Sequence, residues 1–410
     1  PPMPRRSKQL VRQEFKPGPI GWARRRVLPL LAKGSALIGI VLLAAWITGR
    51  MLTDEHHWSQ YLYWMPPIVM IGGAWLMLIL SAIFAGLARR LGGLILRPVL
   101  LLLVVGCSLH LVFGVWHLHR AVTGSDSKDQ DAIRVLHWNH GGKAIDAQQW
   151  GTRIRDLDTD IVLIANANWG DPRQELLEQF EYFAPDERVR WVNYSYRLHA
   201  DPAHYRVEDG AMIASRYPMT RTGWVQFGSS GRQRVMSHSS SGLGWVMFAE
   251  FDLDPQRVDD SPLVIWFVDL PSDPTAWKPQ AMQTVRRAID AWDGTGWEMG
   301  QYVWEQYEDQ NAGFPTPDIV IGDFNTPRGS DSLEVIAPGY TDAFEEAGHG
   351  RGRSFVIRDG DPLERTMFRV IDMHIDLTLV APRHRVTHYT LLQSGGADHT
   401  PQVVDFVLGD

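Results

Sequence analysis

The stretch that decides the fold is D-I-V-I-G-D-F-N-T-P, residues 318–327. Its first part, Ile319–Ile321, has the length and β-branched content of a buried strand. The strand ends at Gly322, and the chain then enters a loop that carries Asp323 and Asn325. A sheet holds side chains at such a junction while the loop exposes them, which suits catalysis. An ordinary strand-to-turn junction explains the same residues, so the rest of the chain has to decide.

Strand and helix patterns follow one another from Ala132 onward, and the strands outnumber the helices. This order predicts two packed β-sheets flanked by helices, which is a four-layer α/β sandwich, and not a doubly wound parallel sheet. The predicted strands are 133–138, 161–165, 191–196, 211–214, 245–253, 263–270, 375–380 and 402–407. The predicted helices are 144–157, 174–183 and 277–292, and long loops are expected at 226–244 and 293–316.

Three apolar segments precede this domain, at 27–49, 61–88 and 98–116. Each has about the length that a helix needs to cross the ~30 Å hydrocarbon layer of a bilayer. They predict three transmembrane helices. The predicted division is a cytoplasmic basic tail at 1–26, a membrane anchor at 27–116, a linker at 117–131 and the sandwich domain at 132–410.

Charge is distributed unevenly along the chain. Residues 1–97 hold 13 Lys+Arg against 3 Asp+Glu, whereas the remainder holds 27 against 44. The tail and the loop 89–97 are rich in arginine, while the loop 50–60 has one arginine beside two acids. Because basic loops stay in the cytoplasm, the sandwich domain is predicted outside it, in the periplasm if the source is bacterial. The single Cys107 excludes an intrachain disulfide and a cysteine-based zinc site.

Polar side chains stand at the ends of the predicted strands. They are Asn139, Asn166, Asn168, Asp323, Asn325, Asp398 and His399. Asp376 lies inside the apolar run I-D-L-T-L-V, where a buried acid needs a partner such as a histidine. Acids, amides and a histidine at strand ends suit a divalent cation (Mg²⁺, Mn²⁺ or Ca²⁺) and a general base. Each residue also has an ordinary explanation, as a turn former or a surface histidine.

The chain resembles the endonuclease/exonuclease/phosphatase superfamily, which includes deoxyribonuclease-like nucleases, sphingomyelinases and phosphoinositide phosphatases. Six motifs carry the resemblance in order: R-V-L-H-W-N (134–139), D-I-V-L-I-A-N (160–166), G-A-M-I-A-S-R-Y-P (210–218), D-I-V-I-G-D-F-N (318–325), I-D-L-T-L-V (375–380) and A-D-H-T-P-Q-V (397–403). G-D-F-N and D-H-x-P are the specific ones. The resemblance covers residues 132–410 and implies a four-layer sandwich that hydrolyses phosphoesters with Mg²⁺ or Mn²⁺.

The resemblance also implies a role for each matching position. Asp323 matches the acid that orients or deprotonates the attacking water, and Asn325 matches the amide that binds a phosphate oxygen. Asp376 matches the acid that aligns the catalytic histidine, His399. Asn139 and Asp398 match residues on the metal side of the site.

Two positions depart from the family's pattern. The glutamate that is usually a main metal ligand is replaced by Asn166, and a usual histidine is replaced by Asp269. An amide oxygen ligates Mg²⁺ without bringing charge, and an ionised aspartate repels phosphate. Two outcomes stay open: Asp269 supplies the missing charge and joins the metal ligands, or the site has lost catalysis.

These features predict a membrane-anchored, divalent-metal-dependent phosphoester hydrolase of the phosphodiesterase, phosphatase or nuclease type that acts outside the cytoplasm. The alternative is a catalytically silent, membrane-tethered binding module on the same fold. The acidic domain disfavours extended duplex DNA as a partner. A lipid head group, a nucleotide or another small phosphodiester fits the predicted topology.

Overall fold

The structure is a computed structural model of the 410-residue chain. It describes residues 26–88, 95–123, 128–141, 146–166, 179, 205–208, 211–227, 244–253, 261–292, 294, 296–298, 301–303, 313–356 and 373–409. The predicted helix 174–183 (except residue 179), the strand 191–196, most of the loop 226–244 and Asn168 lie outside these residues. The chain forms two compact units, Pro1–Ala44 with Met70–Ser108 and Ala45–Val69 with Leu109–Asp410.

Three helices are long and apolar enough to cross a membrane. They are α1 (Leu28–Leu52), α3 (Pro67–Leu87) and α4 (Leu96–Leu109) together with the π-helical turn His110–Val115 that extends it. Their lengths of 25, 21 and 20 residues match the ~30 Å hydrocarbon thickness at ~1.5 Å per residue. Inside the first unit, Ser81 donates a hydrogen bond to the Ala32 carbonyl at 2.8 Å.

A short helix, α2 (His57–Trp64), lies between the first two apolar helices. The apolar pattern predicts one segment over 61–88, whereas the structure divides it into the end of α2 and the separate helix α3. Met65 between them is extended, with φ −63° and ψ 124°. The division follows from Pro66 and the proline that opens α3, because proline lacks a backbone N–H and disfavours helix in the preceding residue.

The second unit contains two mixed sheets and, beyond α2, five further helices among the described residues. The strands are β1 (Ile133–Asn139), β2 (Ile161–Ala165), β3 (Tyr205–Glu208), β4 (Ala211–Ser215), β5 (Met219–Phe227), β6 (Gly244–Phe251), β7 (Leu263–Asp269), β8 (Gly296–Glu298), β9 (Gln301–Val303), β10 (Ile319–Asp323), β11 (Thr341–Asp342), β12 (Asp376–Val380), β13 (Arg385–Leu391) and β14 (Gln402–Val407). The helices are α5 (Arg120–Thr123), α6 (Ala147–Asp156), α7 (Lys278–Asp290), α8 (Leu333–Ile336) and α9 (Ala343–Ala347).

The six-stranded sheet has the order β13-β14-β1-β2-β4-β3, and the eight-stranded sheet has the order β11-β12-β10-β7-β6-β5-β8-β9. Among the described strands, the pairs β1–β2 and β7–β10 are parallel and the others are antiparallel. The sequence predicts a loop at 293–316, but β8 and β9 form a short hairpin there at the sheet edge.

The two sheets pack face to face through one apolar core. Val135 of the six-stranded sheet and Phe267 of the eight-stranded sheet both belong to it. Helix α6 packs with Trp150 on the outer face of the six-stranded sheet, and α7 packs with Val285 on the outer face of the other. These layers confirm the predicted four-layer α/β sandwich.

Candidate active site

Three aspartates form a row across the eight-stranded sheet. The register pairs Asp323 of β10 with Asp269 of β7 and with Asp376 of β12. Residues paired in this way point to the same face of a sheet. Ile319 and Ile321 of β10 belong to the core between the sheets, so by the two-residue alternation Asp323 also points inward. The three carboxylates therefore stand side by side at one end of that core.

Gly322 allows β10 and β7 to lie this close together. It has φ +153°, and a Cβ built on it would lie 2.0 Å from the carbonyl oxygen of Val268 in β7. A larger residue has to push the two strands apart, which moves Asp323 relative to Asp269. Backbone packing thus explains the glycine of the G-D-F-N motif.

His399 completes a charged cluster with two of the aspartates. Its Nδ1 lies 2.9 Å from Asp376 Oδ2, and its Nε2 lies 3.8 Å from Asp323 Oδ2. All three side chains are buried. Asp376 accordingly holds one ring nitrogen and directs the other toward Asp323. The predicted partner of the buried Asp376 is therefore the histidine that follows Asp398.

The loop after β10 is organised by its own polar groups. Asn325 has φ +47°, in the left-handed region that asparagine tolerates. Its backbone N–H donates to Asp323 Oδ1 at 2.8 Å, and its side-chain Nδ2 donates to the Leu270 carbonyl at 2.8 Å. An amide nitrogen has two hydrogens, so one remains for a ligand.

A chain of amides links the six-stranded sheet to this cluster. Asn166 Nδ2 donates to Asp269 Oδ2 at 2.9 Å and to Asn139 Oδ1 at 3.0 Å. Asn139 Nδ2 in turn donates to Asp323 Oδ2 at 2.9 Å, and its Oδ1 also accepts the N–H of Gly141 at 3.1 Å. Both departures from the family pattern, Asn166 and Asp269, are thus hydrogen-bonded to each other inside the site.

Burial and mutual charge set the protonation of the cluster. Burial raises the pKa of Asp323 to about 8, and the charge of Asp376 adds to this shift. Burial also raises the pKa of Asp269 to about 6, although the hydrogen bond from Asn166 opposes it. Burial alone lowers the pKa of His399, but the charges of Asp376 and Asp323 outweigh it and raise that pKa to about 9.

The structure brings most of the predicted site residues together. Asp323, Asp376 and His399 offer ligand atoms that lie within 4.8 Å of one another. Asp269 is outside this group and reaches it through Asn166. Asp398 is also outside it; its side chain is partly exposed, and its backbone carbonyl accepts the N–H of Val356 at 2.8 Å.

The sequence interpretation misses a buried lysine beside this cluster. Lys278 in the first turn of α7 is only 1% exposed, and its Nζ donates to the Pro271 carbonyl at 2.9 Å. Burial lowers its pKa to about 8, while the charge of Asp323 acts in the opposite direction. A signal was available, because Lys278 precedes Met282 by one helical turn and so lies on the predicted apolar face.

The donor set fits a divalent cation. Asp323, Asp376 and His399 offer ligand atoms within 4.8 Å of one another, all three are buried, and Asp269 stands beside Asp323 in the sheet register. Carboxylate and amide oxygens are the ligands that Mg²⁺ and Mn²⁺ prefer. A divalent cation bound there would offset the negative charge of the carboxylates.

The two-sheet sandwich thus brings an Asp–His pair and adjacent acids together at one end of its core. The chain belongs to the endonuclease/exonuclease/phosphatase family, whose sequence profile matches residues 136–399. Members of this family are generally phosphoester hydrolases and typically depend on a divalent metal. The resemblance noted in the sequence is therefore confirmed.

Several solved structures are similar to this chain. An endonuclease/exonuclease/phosphatase family protein from Bacteroides thetaiotaomicron is 12% identical, with a TM-score of 0.43, over 68% of this chain and 98% of its own. A mannosyl-6-phosphatase from the same organism is 12% identical, with a TM-score of 0.42, over 67% and 100%. An AP endonuclease from Archaeoglobus fulgidus is 11% identical, with a TM-score of 0.40, over 66% and 98%. A search of curated proteins found no match.

Proposed function

We propose that the protein is a membrane-anchored, divalent-metal-dependent phosphoester hydrolase that acts outside the cytoplasm. The observation that carries this proposal is the arrangement of Asp376, His399 and Asp323, with Nδ1 of the histidine 2.9 Å from one acid and Nε2 3.8 Å from the other. Family membership supports the reaction class. In this arrangement Asp376 orients the imidazole ring of His399, and the carboxylate of Asp323 lies close to that ring.

In this proposal Asp323 accepts the proton of the attacking water. Its pKa of about 8 lies near neutral pH, which favours a general base. As the water oxygen bonds to phosphorus, the ester P–O bond breaks, and its electron pair leaves with the ester oxygen, which solvent protonates. The imidazolium of His399, oriented by Asp376, stabilises charge on a phosphoryl oxygen. The second amide hydrogen of Asn325, which makes no bond to Leu270, donates to another phosphoryl oxygen.

Asn139, Asn166, Asp269 and Asp398 are the residues that we propose hold the metal. Of these, Asp269 brings the carboxylate that position 166 lacks, and it lies 2.9 Å from the Asn166 amide nitrogen. The metal, when bound, supplies Lewis-acid stabilisation of charge on the phosphoryl group. The charge of the usual glutamate is thereby moved from the end of β2 to the end of β7.

Contacts of the segment before α3 support the proposed side of the membrane. Gln60 of α2 accepts the backbone N–H of Lys278 at 2.9 Å and donates to the Ala276 carbonyl at 2.8 Å. Asp54 accepts the hydroxyl and the N–H of Ser332. The loop after α1 therefore packs on the sandwich domain, as expected if both lie on the non-cytoplasmic side that the positive-inside rule predicts.

The substrate class follows from charge and topology. The residues after 97 hold 27 Lys+Arg against 44 Asp+Glu, so extended duplex DNA is disfavoured, because binding long nucleic acid requires a basic surface. A phosphorylated lipid head group, a nucleotide or another small phosphoester suits an acidic domain tethered to a membrane.

A catalytically silent binding module is the second candidate. It is favoured by Asn139, whose carbonyl oxygen already accepts two hydrogen bonds, from Asn166 and Gly141. An amide network of this kind satisfies the site without a metal. The two candidates differ in whether the cluster turns over a phosphoester.

The test uses the purified full chain in detergent with a generic phosphodiester, bis(p-nitrophenyl) phosphate, and the corresponding monoester. We expect hydrolysis that needs Mg²⁺ or Mn²⁺, and Asp323→Asn to lower the rate by roughly 10²–10⁴-fold, the usual contribution of a general base. Asp290→Asn, on the exposed end of α7, is the matched control. Absence of hydrolysis of either ester by a folded wild-type chain, with any metal, favours the silent module.

A further inference from the structure

A cavity of about 70 Å³ in the second unit is lined by three arginines and three large aromatic residues. It has room for several waters or a small anion, since one water needs only ~10–15 Å³. Its arginines are Arg50, Arg328 and Arg351, and its aromatic residues are Tyr63, Trp64 and Trp116. We propose that this cavity binds the phosphate of an anionic head group at the membrane surface. This rests on the membrane anchoring proposed above and not on hydrolysis.

Arg50 is the arginine with the most unused donor capacity. Its guanidinium lies over the ring of Tyr63, 5.1 Å from the centroid. Within the part of the chain that the structure describes, it makes no hydrogen bond or ion pair, and it is partly exposed. A guanidinium has five N–H donors in a planar fork that matches phosphate. Stacking on Tyr63 thus orients a donor group beside the cavity.

Arg328, a second lining residue of the cavity, is held by several contacts. Its guanidinium stacks on Phe344 at 4.2 Å, donates to the Val115 carbonyl at 2.9 Å and pairs with Glu345. Glu345 is also paired with a histidine, since His117 Nε2 lies 2.7 Å from Glu345 Oε2. Arg351 lines the same cavity, and none of the described residues that line it is an acid.

The cavity lies at the ends of the apolar helices. Arg50 belongs to the last turn of α1, Pro67 opens α3, and Trp116 follows the turn that ends at Val115. Tryptophan and tyrosine favour the membrane–water interface, and arginine reaches head groups from helix ends. Helices that span a bilayer therefore place this cavity at the depth of lipid phosphates.

The cavity also touches the segments that carry the catalytic acids. Pro327 and Arg328 follow Asp323 by four and five residues, and His374 precedes Asp376 by two. The Tyr63 hydroxyl donates to the Arg328 carbonyl. An anion bound by Arg50 and Arg328 is thus held against both segments, which suits a lipid that is delivered to the site or regulates it.

The experiment measures ligand binding by the full chain in nonionic detergent, in the Asp323→Asn background so that no ligand is hydrolysed. The probes are short-chain phosphatidylglycerol, short-chain diacylglycerol without phosphate, and glycerol 3-phosphate. The readouts are the thermal unfolding midpoint and tryptophan fluorescence, because Trp64 and Trp116 line the cavity. We expect phosphatidylglycerol, and not diacylglycerol, to raise the midpoint and change the fluorescence.

Arg50→Gln and Arg351→Gln should each lower the apparent affinity for phosphatidylglycerol about ten-fold, and Arg50→Lys, which keeps the charge, should lower it less. Arg286→Gln, on the exposed face of α7, is the control and should bind as the parent does.

Equal binding of glycerol 3-phosphate identifies a soluble phosphate ester as the occupant. The inference is overturned if phosphatidylglycerol binds no better than diacylglycerol, or if both glutamine variants bind like the parent. If the wild-type chain hydrolyses no phosphoester but the Asp323→Asn chain still binds phosphatidylglycerol, only the proposed function is refuted.

Discussion

The two sides of the cleft differ in how they carry charge. On the eight-stranded sheet, the acids Asp323 and Asp376 flank His399, which lies just before β14 of the other sheet. On the six-stranded sheet, the strand ends present the neutral amides Asn139 and Asn166. The difference teaches that the cleft keeps a carboxylate near position 166 although that position carries an amide, because Asp269 reaches Asn166 from the opposite sheet.

Asn166 and Asp269 form a complementary pair. The amide donates to the carboxylate at 2.9 Å, whereas a glutamate at position 166 places a second acid beside Asp269. Two carboxylates in hydrogen-bond range cannot both ionise without a large penalty. The two departures therefore make physical sense together, and we expect each one alone to weaken the site.

Of the substitutions that test this comparison, Asp376→Asn, which removes the acid paired with His399, should change the hydrolytic rate most. Asp376→Asn should lower the hydrolytic rate roughly 10²-fold, because His399 loses the charge that holds its ring. The pKa of His399 should fall from about 9, which moves the basic limb of the pH–rate profile to lower pH. An unchanged profile in Asp376→Asn contradicts the assignment.

The same substitution has a stability signature. A histidine with a raised pKa stabilises the fold below its unfolded value of about 6.5, and this contribution is lost as the pH rises through about 9. Thermal unfolding of the wild type between these pH values should show that loss. In Asp376→Asn the loss of thermal stability between these two pH values should be smaller than in the wild type.

An intermediate effect is expected at Asp269. Asp269→Asn should weaken Mg²⁺ or Mn²⁺ binding by about 10–100-fold, the range for removing a group that holds or orients a metal. The measurement is the rise of the thermal unfolding midpoint on adding metal. A metal concentration of a hundred times Kd raises the free energy of unfolding by ~2.7 kcal/mol. Asp290→Asn serves as the control on α7, and an equal metal response in both variants argues against Asp269 as a ligand.

The smallest effect should come from exchanging the pair. Asn166→Glu alone should lower the activity about ten-fold, because one pKa unit of repulsion costs ~1.4 kcal/mol. Adding Asp269→His, which recreates the family's usual pair, should recover the loss. If the single variant is more active than the wild type, Asp269 does not compensate for the missing glutamate, and the two positions are independent.

Much of the fold is predictable from local patterns. Apolar runs such as 161–165 and 402–407 coincide with β2 and β14. The strands β5 and β13 escape prediction because each contains a register shift, at Met219/Arg221 and at Val386/His388. A bulge inserts one residue and breaks the alternation on which strand prediction depends.

The sequence indicates the residues of the candidate site but few of their contacts. G-D-F-N and D-H-x-P, within the ordered set of six motifs, indicate Asp323 and His399, and the isolated acid in I-D-L-T-L-V indicates a histidine partner for Asp376. Lys278 escapes prediction because a single lysine on an apolar helix face is read as surface. Its burial depends on Trp64 and Gln60, more than 200 residues earlier.

The sequence by itself determined three apolar helices, a two-sheet sandwich and the acids and histidine of the candidate site. These follow from hydrophobic length, alternation and short motifs, all of which are local. Only the tertiary structure decided that Asn166 and Asp269, 103 residues apart, share a hydrogen bond, and that Arg50 and Arg328 line one cavity. Such contacts depend on sheet register and on the docking of distant segments, which no local pattern encodes.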